Sequence, residues 1–152
     1  LSTPSGYQFN PDLHITTDFQ RFDELCIAAA KATSAINKVR LLEKAASLYQ
    51  GKLLSAANGE HWLVHYANRF HLAFMSTVNE LLKQLMDFHA DDLLHRDAAL
   101  ALTIAPENTK AYYWLIRSYQ KQHMDEMAAG ELAAAKQKLP EDEYQKLLNS
   151  LE

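Results

Sequence analysis

Residues 109–140 read TKAYYWLIRSYQKQHMDEMAAGELAAAKQKLP, and this stretch decides the fold. Its first half carries large apolar residues three or four positions apart, the period of an amphipathic helix, at Tyr112, Leu115, Ile116 and Tyr119. Its second half carries mostly small residues at helical spacing and ends on a proline: Ala128, Leu132, Ala135 and Pro140. Small residues let two antiparallel helices approach closely, and proline cannot continue the second one. We therefore expect a tight helix pair.

The pair is repeated along the chain. Pro106 lies 34 residues before Pro140, and 34 residues is the period of the tetratricopeptide repeat. A shift of 34 positions finds a second unit at Val78, Leu81, Leu82, Leu85, Leu94, Ala98 and Ala101, with Leu94 in a place that usually holds a small residue. A fainter unit falls at Phe22, Leu25, Cys26, Ala29, Leu42 and Ala45. Residues 141–151 carry apolar side chains at helical spacing, at Tyr144, Leu147, Leu148 and Leu151. We expect this helix to cap the last open face of the stack. We predict an all-α fold, with antiparallel helix pairs stacked as a short tetratricopeptide-like superhelix of about seven helices and a C-terminal capping helix.

Helix boundaries follow from capping and turn signals. Residues 1–17 read as an extended or hairpin-like lead segment with a turn near Pro11, and Thr17 with Gln20 has the spacing of a capping box. The helical domain then spans residues 18–152. We expect helices at about 17–33, 36–50, 59–89, 92–105, 108–122, 125–139 and 141–151, the second ended by Gly51. The third, opened by Asn58, either spans two packing units or breaks near residues 69–76.

Composition and charge exclude several functions. The chain has 152 residues and a net charge of −4, and residues 59–152 carry nine Lys/Arg against fourteen Asp/Glu. Nucleic-acid affinity rests largely on cationic side chains, so we do not expect this polypeptide to bind DNA strongly by itself. No stretch is apolar enough to span a membrane, and the single Cys26 suits a reducing compartment. These features predict a cytoplasmic domain.

Several motifs together carry a family resemblance. They are Thr3 with Gly6-Tyr7, Asp18 with Phe22, LYQGKLL at 48–54 followed by Trp62, DAALAL at 97–102, APEN at 105–108, and an aromatic helix with Tyr112 and Tyr119. In this order they resemble the bacterial transcriptional activator domain of SARP-type regulators over residues 17–139, with a remnant of a winged-helix wing at 3–9. Phe88-His89-Ala90 and Gln122-His123-Met124 stand where the family commonly has glycine between paired helices. A non-glycine residue can form such a turn at some cost in strain.

The resemblance implies a regulatory domain that acts on proteins. A winged-helix domain, and in some members a receiver domain, would precede Leu1, so DNA would be contacted only through a domain outside this chain. The partner would be the regulator's own DNA-binding domain, a second protomer or the transcription machinery. The alternative is a tetratricopeptide-type adaptor or scaffold unrelated to transcription. No cofactor, membrane or small-molecule substrate is indicated.

Two groups of polar residues have side chains of the types found in catalytic or metal sites. His61 and His65 share a helix face, but a zinc protease motif would need a glutamate between them. His89, Asp91, Asp92 and His95 fit a polar turn between helices better than a carboxylate–imidazole site. We therefore predict no catalytic and no metal-binding residues, and a small helical metalloenzyme is the weakest hypothesis.

A surface is the better functional candidate. In a tetratricopeptide stack, the first helix of each pair lines a concave groove. The corresponding positions here are Lys110, Tyr113, Arg117, Gln120 and Lys121 in the last repeat, and Ser76, Asn79, Lys83, Met86 and Asp87 in the one before. A basic strip with an exposed aromatic residue favours an acidic peptide or a neighbouring domain as the partner.

Overall fold

The chain is helical almost throughout the part that the structure describes. The computed structural model describes residues 2–3, 6–7, 11–49 and 61–152, without the side chains of 2–3, 6–7, 11–18, 61–64 and 66. Its helices are α1 (Pro11–Lys31), α2 (Ala35–Leu48), α3 (His61–Asp87), α4 (Asp91–Ile104), α5 (Thr109–Lys121), α6 (Asp125–Lys138) and α7 (Glu141–Leu151). The predicted all-α fold of seven helices is confirmed for these residues. None of the described helices is long and apolar enough to cross a membrane.

The N-terminal boundary differs from the sequence-based expectation. Strands β1 (Ser2–Thr3) and β2 (Gly6–Tyr7) pair antiparallel, with Ser2 opposite Tyr7. The helix then begins at Pro11 rather than at Thr17, so the capping-box start and the extended segment over 11–17 are wrong. The reason lies at Pro11 itself, because proline at the first helical position has its φ angle fixed near the helical value and lacks an N–H that would be unsatisfied there.

The long helix is continuous, and the chain divides within it. Two compact units comprise residues 1–70 and 71–152, and their boundary falls inside the 27 residues of α3. The prediction that this helix serves two packing units is confirmed, and the alternative break near residues 69–76 is wrong. Helix α2 ends at Leu48 with Tyr49 as its C-cap, so the predicted terminator Gly51, like Asn58, lies outside the described residues.

The first unit is built around an aromatic cluster. The Phe70 ring lies 4.8 Å from that of Phe22, 5.0 Å from that of Tyr49 and 5.5 Å from that of Phe19. The Arg69 guanidinium sits over the Phe19 ring at 5.1 Å. Helices α1 and α2 pack against each other in this unit. Cys26, the single cysteine of the chain, is half-buried.

The second unit is organised by α5. This helix packs against α4, α6 and α7. Asn108 caps its N-terminus, where the side-chain oxygen accepts from the Ala111 N–H at 3.3 Å. Most of the core positions predicted from the repeat register are buried: Val78, Leu81, Leu82, Leu85, Leu94, Ala98, Ala101, Tyr112, Leu115, Ile116, Tyr119, Ala128 and Ala135. In α7, Leu147 is buried and Leu148 is half-buried.

Each of the two predicted non-glycine turns contains a histidine in the left-handed backbone conformation. His89 and His123 have φ angles of 55° and 58°. The same backbone hydrogen bond closes each turn. Ala90 N–H donates to Leu85 C=O at 2.9 Å in the first turn, and Met124 N–H donates to Tyr119 C=O at 2.9 Å in the second. This is the Schellman pattern, in which the left-handed residue is usually glycine. The same turn geometry therefore occurs twice, at histidines 34 residues apart.

A candidate protein-interaction cleft

An open cleft runs between α3 and α5 in the second unit. One face of α5 is buried in the core and includes Tyr112, Ile116 and Tyr119. The neighbouring face, with Lys110, Tyr113 and Arg117, points away from that core. This second face meets the outer side of α3 in two adjoining pockets of about 820 Å³ and 500 Å³. Both pockets are lined by Tyr113 and Trp114, so they form one trough, which we call the cleft.

The cleft contains nine of the ten groove residues expected from the repeat register. The larger pocket is lined by Ser76, Asn79, Lys83, Lys110 and Tyr113, and the smaller one by Met86, Arg117, Gln120 and Lys121 together with Tyr113. Asp87 lines neither pocket and is exposed at the end of α3. Residues within 72–83 of α3 and 109–114 of α5 line the larger pocket, while the later residues Met86 of α3 and those within 117–121 of α5 line the smaller one. Helices α3 and α5 therefore run in the same direction along the cleft.

The lining is basic although the chain is acidic. Five cationic side chains line the cleft, against two carboxylates, Glu80 and Glu143. Among the described residues, no carboxylate lies within ion-pair distance of Lys83, Lys110 or Arg117. These three side chains are exposed, so their charge is available to an incoming molecule.

An aromatic pair forms the middle of the cleft. The rings of Tyr113 and Trp114 lie 4.8 Å apart, edge to face at 73°, and both side chains are half-buried. Leu72, which is 63% exposed, and Met75 add apolar surface to the larger pocket. Rigid, half-exposed aromatic residues are typical anchors of protein interfaces, because they bury a large area at a low cost in conformational entropy.

Helix α7 forms one end of the cleft. Lys146 Nζ donates to Glu143 Oε1 at 2.6 Å, and Thr109 Oγ1 donates to Glu143 Oε2 at 3.0 Å. The hydrogen bond from Lys146, followed by that from Thr109, lowers the pKa of Glu143. Glu143 is thus held in its ionised form. Its negative charge neutralises that of Lys146 and not that of the three unpaired cations.

Sequence reasoning missed Trp114 and the residues of α7. The repeat register places Trp114 one position after the groove residue Tyr113, and α7 was expected only to cover the last open face. The signal that was available is the aromatic run Tyr112-Tyr113-Trp114, which is too wide for one buried stripe. Because residues on a helix are about 100° apart, such a run must place one ring on the outer side.

The polar residues at the α3–α4 turn form a structural network. The buried Ser118 hydroxyl donates to Asp91 Oδ1 at 2.8 Å, while His95 Nε2 and Gln122 Nε2 lie 3.0 Å from its oxygen. The single hydroxyl proton is used by Asp91, so His95 and Gln122 donate to the two lone pairs. An oxygen saturated in this way has no free lone pair with which to act as a nucleophile.

The remaining candidate ligands do not converge. His89 Nδ1 lies 2.7 Å from Lys121 Nζ, and Asp92 is exposed. The His61 side chain lies outside the described residues, and that of His65 is exposed. Within the described part of the chain, no three His, Cys, Asp or Glu side chains are grouped as metal ligands would be.

Comparison with known proteins identifies the family. The bacterial transcriptional activator domain matches residues 17–146, which is most of the chain and includes every residue that lines the cleft except Ser150. No curated protein and no solved structure matches the chain. The match covers far more than half of the sequence and agrees with the all-helical, repeat-like fold. The chain therefore belongs to the bacterial transcriptional activator domain family, whose role is regulatory and related to transcriptional activation.

Proposed function

We propose that this chain is the protein-interaction domain of a DNA-binding transcriptional regulator of the SARP type in the bacterial cytoplasm. It couples a winged-helix domain, which lies outside this chain, to a partner protein, a second protomer or another domain of the regulator. The contact is made through the cleft. The proposal assigns no reaction and no cofactor to the chain.

The observation that carries the proposal is the charge of the cleft. Lys83, Lys110 and Arg117 stand unpaired around the Tyr113–Trp114 anchor, although the chain has a net charge of −4. Keeping like charges together without partners is unfavourable, and a bound molecule with complementary charge removes that cost.

The acidic balance of the chain supports a division of labour. Phosphate contacts depend on Lys and Arg, and residues 59–152 have five more acidic than basic residues. DNA recognition therefore falls to the winged-helix domain, while this domain contacts protein. The family description supports a role in activation.

The test uses the full-length regulator with the double substitution Arg117→Glu and Lys121→Glu. Both side chains line the smaller pocket and are exposed, so the fold is expected to remain intact. The matched control is Arg40→Glu with Lys44→Glu. This pair is also an arginine followed four residues later by a lysine, exposed on α2 and outside the cleft.

DNA affinity and transcription from the target promoter are measured for each variant. We expect the cleft variant to bind DNA as the unmodified regulator does but to lose most of its activation, and the control to behave normally. Unchanged activation by the cleft variant would contradict the proposal. A gene product without a DNA-binding domain, or without any effect on transcription, would favour the adaptor or scaffold instead.

A further inference from the structure

The cleft has the dimensions of a short extended peptide. The α5 residues that line it run from Thr109 to Lys121, which at 1.5 Å per residue is about 18 Å. A segment in the extended polyproline II conformation rises about 3.1 Å per residue, so about six residues span this length. Lys110 and Arg117 are two helical turns apart, about 10 Å, which corresponds to the three residues of one polyproline II turn.

The charges define the side chains that such a segment must present. On α5, Lys110 lines the larger pocket and Arg117 the smaller one, and Lys83 lines the α3 side of the larger pocket. None of the three has a carboxylate partner among the described residues, as noted above. In the extended polyproline II conformation, which has three residues per turn, side chains three residues apart lie on the same face, so carboxylates at that spacing would each reach one of the α5 cations. Because these cations are exposed, the pairing sets specificity and association rate.

The aromatic pair defines the centre of the segment. Trp114 and Tyr113 line both pockets and separate the two ends. A bulky apolar side chain between the two carboxylates would pack on these rings and on Leu72 or Met75. An amphipathic helix is a poorer occupant, since helix binding in grooves relies on a continuous apolar lining. Here cations interrupt the apolar surface along both walls.

Two carboxamides are suited to the backbone of an extended segment. Asn79 lines the larger pocket and Gln120 the smaller one. The side-chain oxygens Asn79 Oδ1 and Gln120 Oε1 are buried and accept no hydrogen bond. A carboxamide offers one acceptor and two donors, the same groups as a peptide unit. Rotation of either amide toward a peptide N–H would give its oxygen the partner that it lacks.

From these four features we infer that the cleft binds an extended acidic segment of a partner protein, with two carboxylates three residues apart facing Lys110 and Arg117 and an apolar side chain on Trp114. This inference deepens the proposed function by naming the chemistry of the partner, and it rests on that function only for the biological role of the contact. The binding itself is a property of this chain and needs neither DNA nor a promoter.

The test is selection of random octapeptides displayed on phage against the purified chain, followed by fluorescence anisotropy with the enriched peptides. We expect Asp or Glu at two positions three apart, with an aromatic or branched residue between them. Affinity should fall about tenfold in the variant Lys110→Glu with Arg117→Glu, which replaces two attractions by repulsions. The Arg40→Glu, Lys44→Glu variant should bind normally. Selection on the Lys110→Glu, Arg117→Glu variant should enrich Lys or Arg at the same two positions.

Several results would overturn the inference. These are selection without acidic enrichment, acidic peptides that bind the Lys110→Glu, Arg117→Glu variant equally well, and enriched peptides of amphipathic helical pattern. A dimer in light scattering that the same variant dissociates would make a second copy of the chain the occupant. If circular dichroism shows that the glutamate variant is unfolded, the Lys110→Gln, Arg117→Gln variant takes its place with the same expected loss. Loss of promoter activation with normal peptide binding would contradict only the proposed function.

Discussion

Replacing His123 by glycine is expected to stabilise the protein. His123 adopts a left-handed conformation with φ of 58° in the turn between α5 and α6. Its side chain is exposed and makes none of the hydrogen bonds found among the described residues. The turn itself is closed by backbone bonds from His123 N–H to Gln120 C=O and from Met124 N–H to Tyr119 C=O, which glycine retains.

The size of the effect follows from two opposing terms. A left-handed backbone costs an L-residue with a Cβ atom about 1–2 kcal/mol. Glycine relieves this cost but loses about 0.5–1 kcal/mol more conformational entropy on folding. The net gain is about 0.5–1 kcal/mol. With an unfolding entropy of about 2.1 cal/mol/K per residue over the whole chain, this corresponds to a rise in Tm of about 2–3 °C.

The assay is urea unfolding followed by circular dichroism, with thermal unfolding as the second measurement. His123→Ala is the matched control, because it removes the imidazole but keeps the Cβ atom that causes the strain. We expect the glycine variant to raise the urea midpoint and the alanine variant to leave it unchanged or lower it. Equal behaviour of the two variants would refute the strain argument, since the effect would then come from losing the imidazole.

Two further predictions concern α6. Gly130→Ala should stabilise the protein by about 0.5–1 kcal/mol in urea unfolding, because a Cβ atom at this helical position meets nothing within 4 Å; a decrease would mean that the added methyl group does make a contact. Burial raises the pKa of Glu131 above 4.5, an effect that nearby His95 opposes, so the folded state holds this proton up to a higher pH than the unfolded state does. Stability should therefore fall as the pH rises from 4.5 through the raised pKa, and Glu131→Gln should flatten this part of the profile measured by urea unfolding at several pH values. An unchanged slope would show that other groups cause it.

The sequence predicts the second unit better than the first. In α4 to α6, periodic apolar residues coincide with strong local signals, such as Asn108 at the start of α5 and Pro140 after α6. Periodicity and capping therefore point to the same boundaries. In α1, a capping box at Thr17 competes with Pro11, and the structure follows the proline. The competition could not be decided locally, since each signal relieves an unpaired N–H group of a first turn: Thr17 can accept a hydrogen bond from one, and Pro11 has none to satisfy.

The sequence predicts most of the residues of α5 that line the cleft, but not all the residues of other helices that enclose it. Helical spacing identifies Lys110, Tyr113 and Arg117 as one face, because that relation depends on residues of the same helix. The contribution of α7 and the outward position of Trp114 depend on how helices distant in sequence pack. Ser118 shows the same limit: helical spacing places Gln122 near its hydroxyl, but only packing brings Asp91 and His95 of α4 to the same group.

The most direct measurement is the fluorescence of Trp114 while a selected acidic octapeptide is titrated into the Trp62→Phe variant. The chain has two tryptophans, so Trp114 is then the sole indole. We expect a saturable blue shift as the apolar side chain of the peptide covers this ring; its midpoint should move to higher peptide concentration at high salt, and about tenfold higher when Lys110 and Arg117 are replaced by glutamate. A peptide that binds without changing the Trp114 emission would contradict the claim that the cleft is the partner-binding surface.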